Sequence, residues 1–349
     1  MIDRRKFLSI GLIGLSSVAL SSCSLTGYYD DKKYGIIDTT GTWIIKPKFD
    51  WISHPVKGLC MAFLSRDDNP LRGIVDLSGR WVIEPKWKRT GGLSELDYFG
   101  AQDAESGLWG IARKDGSWQV EPYLEANKDF SAIGTFSPQF QRAKAYDAAS
   151  DLWGFIDGSG KWVVKPFANY ISYIGSDGLW GAIKKGDALY GRIDIEGNWL
   201  LEPKFRLIGA FGKTGYAYAM SAETELGGLI DKQGNWVVEP KFAYIHTPNK
   251  SDFIPARECT AEPSGALLWG FIDISGEWVV EPKYLSICPY NAECDVVSVC
   301  PQEKDRLYRL MNSKQEFISD ACFSYIFSGF SDDGYCDARP YKLEKPLWE

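Results

Sequence analysis

The chain has 349 residues, 45% of them hydrophobic and 24% charged, which predicts a packed core and excludes a wholly disordered protein. The net charge is −7 and no long basic run occurs. No nucleic acid is therefore expected as a partner, because phosphate binding needs clustered Lys and Arg. Aromatic residues make up 14% and the chain contains 35 glycines, a combination typical of sheets joined by tight turns.

Residues 1–22 have the layout of an export signal: a short charged start, an apolar stretch over residues 8–20, and small residues before Cys23. The apolar stretch is shorter than the ~20 residues that a membrane-spanning helix needs. Four residues of the charged start resemble the twin-arginine export signal, although Asp3 stands where that signal prefers Ser or Thr. They are Arg4, Arg5, Phe7 and Leu8. The general secretory route is the alternative.

The sequence Leu-Ser-Ser-Cys over residues 20–23 resembles the bacterial lipobox. The resemblance implies cleavage before Cys23 and attachment of diacylglycerol to its sulfur; the alternative is an ordinary signal peptide with an incidental cysteine. Acyl chains such as palmitate contribute ~0.8 kcal/mol per buried CH₂ group, so several chains would hold the protein at a membrane. Ser24 follows the cysteine, which implies sorting to the outer membrane in a Gram-negative cell. Residues 23–33 are thus predicted to be a lipid-anchored linker, with the protein facing the periplasm or the exterior.

A tryptophan recurs along the chain at intervals of about 40 residues, which is a period typical of stacked supersecondary units. The copies are centred on Trp43, Trp81, Trp118, Trp162, Trp199, Trp236 and Trp278, and a degenerate eighth copy is centred on Phe317. The segments DISGEWVVEPKY over residues 273–284 and DKQGNWVVEPKF over residues 231–242 are nearly identical. A motif repeated in this way indicates architecture rather than a single catalytic site.

Each copy predicts a β-hairpin, since two runs of β-branched and aromatic residues flank a turn such as Asp273 to Gly276. Asp accepts backbone hydrogen bonds within such a turn, and Gly supplies the positive φ. The Pro after the second strand has no N–H group and is expected to end the ladder. A further strand is predicted before the hairpin at residues 58–63, 178–183 and 215–220, which gives three or four antiparallel strands per unit.

The YG or WG pair, the D-x-x-G-x-W turn and the E/K-P-K-aromatic sequence together resemble the bacterial WG-repeat family over about residues 34 to 325. The resemblance implies an all-β fold of tandem units, which occurs often in secreted or envelope-attached proteins. No shared catalytic residues are established for that family, so the resemblance implies no active-site positions.

The predicted fold is an all-β, propeller-like toroid of repeats over residues 34–327, and the alternative is an open superhelical β-repeat array. The degenerate eighth copy is expected to be an end cap, because a terminal unit has no neighbour on its outer face. Residues 328–349 lack the motif and are expected to be a C-terminal tail that lies over that end.

The repeated residues have structural interpretations. A turn offers a single Asp carboxylate, fewer oxygens than Ca²⁺ needs, so these aspartates are interpreted as turn caps. The motif tryptophans are interpreted as packing contacts between neighbouring units. Trp180 lies outside the repeated position and is the candidate for a ligand-facing aromatic ring.

The sequence contains no nucleophile motif, no phosphate-binding glycine loop and no evident cofactor or metal site. The two histidines, His54 and His246, have no second His or Cys at ligand spacing and lie in no triad context. Paired loop carboxylates of the glycosidase type are the enzymatic alternative, because their separation in space cannot be read from a sequence.

Six cysteines lie in the last third of the chain: Cys259, Cys288, Cys294, Cys300, Cys322 and Cys336. Their spacing differs from the short C-x-x-C pairs of zinc sites, so in an exported protein it favours disulfides, with no assignable pairing. Cys60 is expected to be a buried, unpaired thiol.

These observations predict a non-catalytic cell-envelope lipoprotein, anchored to a membrane by its lipid, whose β-repeat surface binds an envelope protein or a cell-wall glycan. The alternative is a glycan-active or other envelope hydrolase with loop carboxylates around a central channel. A structural spacer without a binding surface is the third class.

Overall fold

The computed structural model describes residues 33–64, 70–125, 132–175, 178–250, 252–259, 267–303, 305–326 and 329–341. Within these ranges the chain forms 26 strands and no helix, which confirms the predicted all-β fold class. The described part of the chain accordingly offers no helix with the length and apolar character to cross a membrane.

The first thirteen strands are β1 Tyr34–Asp38, β2 Trp43–Phe49, β3 Trp51–Ile52, β4 Leu59–Phe63, β5 Arg72–Asp76, β6 Trp81–Thr90, β7 Tyr98–Asp103, β8 Trp109–Arg113, β9 Trp118–Leu124, β10 Arg142–Asp147, β11 Leu152–Asp157, β12 Trp162–Ile174 and β13 Trp180–Lys184. The others are β14 Tyr190–Ile193, β15 Trp199–Phe211, β16 Ala217–Ser221, β17 Gly227–Ile230, β18 Trp236–Phe242, β19 Tyr244–Ile245, β20 Ile254–Arg257, β21 Trp269–Ile272, β22 Trp278–Ile287, β23 Val297–Pro301, β24 Arg309–Met311, β25 Phe323–Ile326 and β26 Tyr335–Pro340.

The strands form four antiparallel sheets. Three of them follow chain order, from β3 to β9, from β10 to β18 and from β19 to β24. The fourth has the order β2-β1-β26-β25 and so combines both ends of the described chain.

The repeating unit contains four strands, and neighbouring units share a long strand. In β15, residues 199–205 pair with β14, whereas residues 207–211 pair with β16. One unit therefore consists of the second half of a long strand, two short strands and the first half of the next long strand. The strands predicted before the hairpin are confirmed as β4, β13 and β16. We number the units by their motif copies, so that Trp43 lies in unit 1 and Phe317 in unit 8.

The motif tryptophan packs against the last aromatic residue of the preceding copy. The rings of Phe49 and Trp81 meet edge to face at 5.6 Å, and those of Phe205 and Trp236 at 5.7 Å. Beside this contact the motif lysine donates to the turn glycine of the next unit, as from Lys204 Nζ to the Gly234 carbonyl at 3.0 Å. These contacts confirm that the motif tryptophans join neighbouring units.

The turn aspartates cap their own hairpins. Asp231 Oδ1 accepts hydrogen bonds from the backbone N–H groups of Gln233 at 2.9 Å and Asn235 at 2.8 Å. Gly234, in the same turn, has φ +79°, a value that favours glycine. The same carboxylate-to-backbone pattern occurs at Asp38, Asp76, Asp157, Asp194 and Asp273. The interpretation of these residues as turn caps is confirmed.

The motif proline does not end the ladder, contrary to expectation. In β2 the pairing with β1 continues past Pro47, since Phe49 lies opposite Tyr34. The register shifts between these pairs, and Pro47 sits within this bulge against Gly35. A proline in a bulge needs no N–H partner, so the strand can continue through it.

The ends of the chain meet in unit 1, which consists of β25, β26, β1 and β2. Gly35 to Asp38 of β1 pair in unbroken register with Ala338 to Tyr335 of β26. Part of the expected tail is therefore an inner strand, and it does not lie over the end of an array. This pairing favours a ring over an open array, because an open array would keep its terminal units apart.

The apolar core follows the same closed path. One cluster of buried residues joins unit 1 to unit 2 through Ile36, Phe49 and Val75, among others. Another joins unit 8 to unit 1 and includes Leu310 and Phe323. Unit 8 thus has a neighbour on both faces, so it is not the end cap that its degenerate motif indicated.

The motif glycine lies where the hairpin has no room for a side chain. A Cβ atom on Gly270 would lie 2.3 Å from the Val280 carbonyl oxygen and 2.9 Å from Trp278 Cζ3 of the same hairpin. We expect Gly270→Ala to lower the free energy of unfolding by about 1–3 kcal/mol, because backbone and indole must move apart. Urea denaturation would measure the change. Exposed Lys232→Ala is the control, and equal midpoints for both variants would contradict the close-packing argument.

Candidate functional site

Unit 3 departs from the repeat at its turn. Arg113 occupies the position of the turn aspartate, and Gln119 follows the motif Trp118 where most copies have Val, Ile or Leu. The turn is capped differently, since Asp115 Oδ1 accepts from the backbone N–H of Ser117 at 2.9 Å and from its hydroxyl at 2.6 Å. The Arg113 side chain is exposed and is not needed for the turn.

A surface groove lies at this departure from the repeat. Its volume is about 790 Å³, and its walls come from the loop before β7 and from the β8–β9 hairpin. The lining residues are Glu95, Leu96, Asp97, Tyr98, Arg113, Lys114, Asp115 and Gln119.

Hydrogen bonds hold the walls of the groove in place. Lys114 Nζ donates to the Ser94 carbonyl at 2.9 Å and so ties the hairpin to the opposite loop. Gln119 Nε2 donates to the Gly158 carbonyl of unit 4 at 2.6 Å. The groove is therefore formed before any ligand arrives, which reduces the ordering cost of binding.

The groove carries charges of both signs. Three carboxylates, those of Glu95, Asp97 and Asp115, face the cations of Arg113 and Lys114. Hydrogen bonds from Ser117, first from its hydroxyl and then from its backbone N–H, lower the pKa of Asp115. This arrangement suits a polar ligand with donors and acceptors.

In the described part of the chain, every carboxyl group with a shifted pKa has a pKa below its ordinary value. They are Asp76, Asp103, Asp115, Asp157, Asp231, Asp273 and Asp295. In Asp76 and Asp273 the largest cause is a hydrogen bond from a serine hydroxyl of the same turn. A general acid of the glycosidase type needs the opposite shift, so none of these groups fits that role.

A second, smaller notch of about 480 Å³ lies between units 5 and 6 and is lined by motif residues, including Lys204, Phe205, Asn235 and Trp236. Because these residues belong to the contact that joins neighbouring units, the notch is explained by the packing of the repeat.

Trp180, expected to face a ligand, is a core residue. Its side chain is 3% exposed, and its ring packs 4.8 Å from that of Phe155 in unit 4. It starts the second strand of unit 5, on the face that meets the preceding unit, and burial of the indole there follows from that position.

The lipidation and export residues lie outside the described residues, namely Cys23, Arg4, Arg5, Phe7 and Leu8, and their roles stay predictions.

All seven described cysteines, including the six disulfide candidates, are thiols in the structure. Cys288 and Cys336 share one buried cluster, whereas Cys259 is exposed. The disulfides stay a prediction, as does an unpaired Cys60, whose thiol is buried.

The fold brings His54 to residues that the sequence gave no reason to connect with it. His54 Nε2 lies 2.9 Å from Asp337 Oδ1, across 283 residues of chain. A ring nitrogen of His54, the Sγ atom of Cys336 and a carboxylate oxygen of Asp337 all lie within 4.8 Å of one another. Asp337 is 3% exposed and Cys336 is fully buried. No sequence signal pointed to this cluster, because the burial of Asp337 and its approach to His54 arise only from the tertiary structure.

His246 has different surroundings. Its ring lies 5.0 Å from that of Trp269 and 5.5 Å from that of Tyr244, and no carboxylate is among its described contacts. Burial lowers the pKa of His246 to about 4. The imidazole is therefore neutral at pH 7 and packs as an aromatic ring.

This pKa predicts a pH dependence of stability. The unfolded chain binds a proton at His246 with a pKa of ~6.5, whereas the folded protein does so only near pH 4. The contribution of His246 is complete above pH ~6.5 and decreases as the pH falls toward 4. We expect His246→Phe to flatten the dependence of the urea midpoint on pH between pH 6.5 and 4, with the exposed Lys232→Ala as the control. An unchanged pH profile in His246→Phe would show that the ring has the same pKa in the folded and unfolded states.

Comparison with protein families finds the WG containing repeat in five segments, residues 34–64, 153–187, 190–220, 228–258 and 269–291. The motif copies of units 2, 3 and 8 lie outside these segments. No curated protein matches the sequence.

Solved structures with similar folds include a eukaryotic initiation factor, with a TM-score of 0.55 and 13% identity over 88% of this chain and 86% of that one. The dihydro-heme d1 dehydrogenase NirN has a TM-score of 0.52 and 10% identity over 84% of this chain and 73% of that one. The WD40 β-propeller domain of Doa1 matches with a TM-score of 0.33 and 11% identity over 71% of this chain and 90% of that one. At such identities a likeness concerns the fold alone. The chain carries WG-type repeats in these five segments, on an all-β fold in which β1 and β26 pair the two ends of the described chain.

Proposed function

We propose that this protein is a non-catalytic, lipid-anchored protein of the cell envelope, a member of the WG-repeat family, and that the groove of unit 3 binds a protein or a cell-wall glycan. The observation that carries the proposal is the coincidence of this groove with the loss of the repeat consensus at Arg113 and Gln119.

Repetition supports this choice of site. Positions that every unit shares are occupied by contacts between units, such as Lys204 to Gly234. A position where one unit differs is free from that requirement, and loops on a rigid scaffold are where binding residues concentrate. Arg113 replaces a turn cap with an exposed cation, which adds donors to the groove and within its own hairpin makes one hydrogen bond of 3.3 Å to Gln119 Oε1.

The chemistry of the groove supports binding over hydrolysis. Its carboxylate with a shifted pKa, that of Asp115, is held ionised, and Lys114 is engaged with the Ser94 carbonyl. An envelope hydrolase with loop carboxylates, the alternative function, would need one carboxyl group that keeps its proton near neutral pH.

The proposed membrane location rests on the sequence before β1. The lipobox-like residues 20–23 and the twin-arginine-like start support export and lipidation. The first described strand begins at Tyr34, so a linker of about ten residues would separate the lipid from unit 1.

The groove can be tested by restoring the repeat. Arg113→Asp recreates the consensus turn, so we expect it to keep or raise the urea midpoint while it removes ligand binding. A photo-crosslinking residue at Glu95 should capture an envelope protein in intact cells, and Arg113→Asp should reduce that product at least about tenfold, as loss of a central Arg contact can. Binding to isolated cell-wall glycan, measured by co-sedimentation, covers the other partner class.

The matched control places the same crosslinker at Gln233, which occupies an exposed position in the turn of unit 6. Identical products from both positions, or full binding by Arg113→Asp to protein and glycan alike, would exclude the groove as the binding site.

The anchor has its own test. We expect Cys23→Ser to move the protein from the membrane to the soluble fraction and to abolish incorporation of labelled palmitate, because the thioether-linked diacylglycerol cannot form. Cys60→Ser is the control and should stay in the membrane fraction. Membrane retention of Cys23→Ser would contradict the lipoprotein proposal.

A further inference from the structure

The cluster of His54, Cys336 and Asp337 lies at the closure of the ring. His54 follows β3 in unit 2, whereas Cys336 and Asp337 belong to β26 in unit 1. The imidazole and the carboxylate meet at 2.9 Å, and the thiol sulfur lies within 4.8 Å of both. The side chain of His54 is 27% exposed and that of Asp337 is 5% exposed, so the cluster is reached from solvent on the histidine side.

The repeat does not require a carboxylate at this position. Asp337 lies opposite Ile36, the residue after the motif glycine of β1. In other units the equivalent residues are Met61, Tyr218 and Pro255, opposite Ile74, Leu229 and Phe271 respectively. A buried carboxylate costs free energy unless a charge or several donors compensate it. Among the described residues, His54 is the hydrogen-bond partner of the Asp337 carboxylate.

The three donors match the preferences of one metal ion. Imidazole nitrogen, thiolate sulfur and carboxylate oxygen are the ligand types of zinc sites, and three protein ligands leave a fourth position for water. Deprotonated Cys336 and Asp337 together balance the charge of a divalent cation. Burial raises the pKa of the Cys336 thiol, and a bound metal reverses that effect because it replaces the thiol proton.

The distances allow coordination with small side-chain movements. Zinc–ligand bonds of about 2.0–2.3 Å place tetrahedral ligands about 3.5 Å apart. The observed separations, all within 4.8 Å, therefore need to contract by about 1 Å or less per atom. Cys336 and Asp337 are neighbours in β26 and start from opposite faces of the strand, so both side chains have to lean toward His54 to share one ion.

We propose that His54, Cys336 and Asp337 bind one Zn²⁺ ion that joins unit 2 to unit 1. The ion links β26, near the C-terminal end of the described chain, to unit 2, which is built from N-terminal residues alone. It would stabilise the closed ring by binding only the folded protein. Cys336 would then be a metal ligand and would be absent from any disulfide.

Zinc titration of the full-length chain in detergent, after treatment with a chelator, tests the proposal. We expect one zinc per chain by elemental analysis and a rise in the melting temperature on addition of zinc chloride. His54→Gln, Cys336→Ala and Asp337→Asn should each weaken zinc binding by more than about tenfold, measured by competition with a chromophoric chelator. Cobalt adds a direct test of the sulfur ligand, since a thiolate–cobalt bond gives a near-ultraviolet charge-transfer band.

Matched controls come from the same fold. Cys60 lies opposite Val75, the register position that Cys336 occupies opposite Ile37, and it is equally buried. Cys60→Ala should therefore leave the zinc stoichiometry and the cobalt band unchanged, as should His246→Phe. His54→Gln changes a partly exposed loop residue, and circular dichroism would verify its fold. No zinc in the parent protein, or zinc retained by a folded His54→Gln or Cys336→Ala variant, would overturn the proposal.

Discussion

The contact between one unit's motif tryptophan and the last aromatic residue of the unit before it is the interaction on which this structure depends. A four-stranded sheet cannot bury both of its faces alone, so each unit is stable only against its neighbours. The edge-to-face pairs, such as Phe242 with Trp278 at 5.5 Å, occur at this junction together with the motif lysine and the turn glycine. The residues that the sequence repeats in each motif copy are therefore those that join units, and binding residues are expected where a copy departs from the motif.

The chain closes by sharing unit 1 between its two ends. Strands β25 and β26 supply half of that sheet, and β1 and β2 supply the other half. Closure removes the exposed outer faces that a linear array would need to protect. It also brings together residues that are remote in sequence, and the pairing of His54 with Asp337 is a direct consequence.

Two exceptions to the repeat carry the functional hypotheses. Arg113 stands at a turn where other units need an aspartate, and a groove of about 790 Å³ lies beside it. Asp337 stands on a strand face where other units bury apolar or small residues, and it meets a histidine and a cysteine there. In both places the local rule of the repeat is broken without a gain for packing, which is expected where function overrides the fold.

The sequence by itself determined the unit: the hairpin, its aspartate cap, its positive-φ glycine and the tryptophan contact are local or nearest-neighbour interactions, and each left a periodic signal. It could not determine how Pro47 is accommodated, because the bulge depends on the strand opposite. It also misplaced Trp180 and the eighth copy, since burial of a ring depends on which unit faces it. Only the tertiary structure decided the closure through β1 and β26 and the meeting of His54 with Asp337, because contacts between distant ends leave no period in a chain.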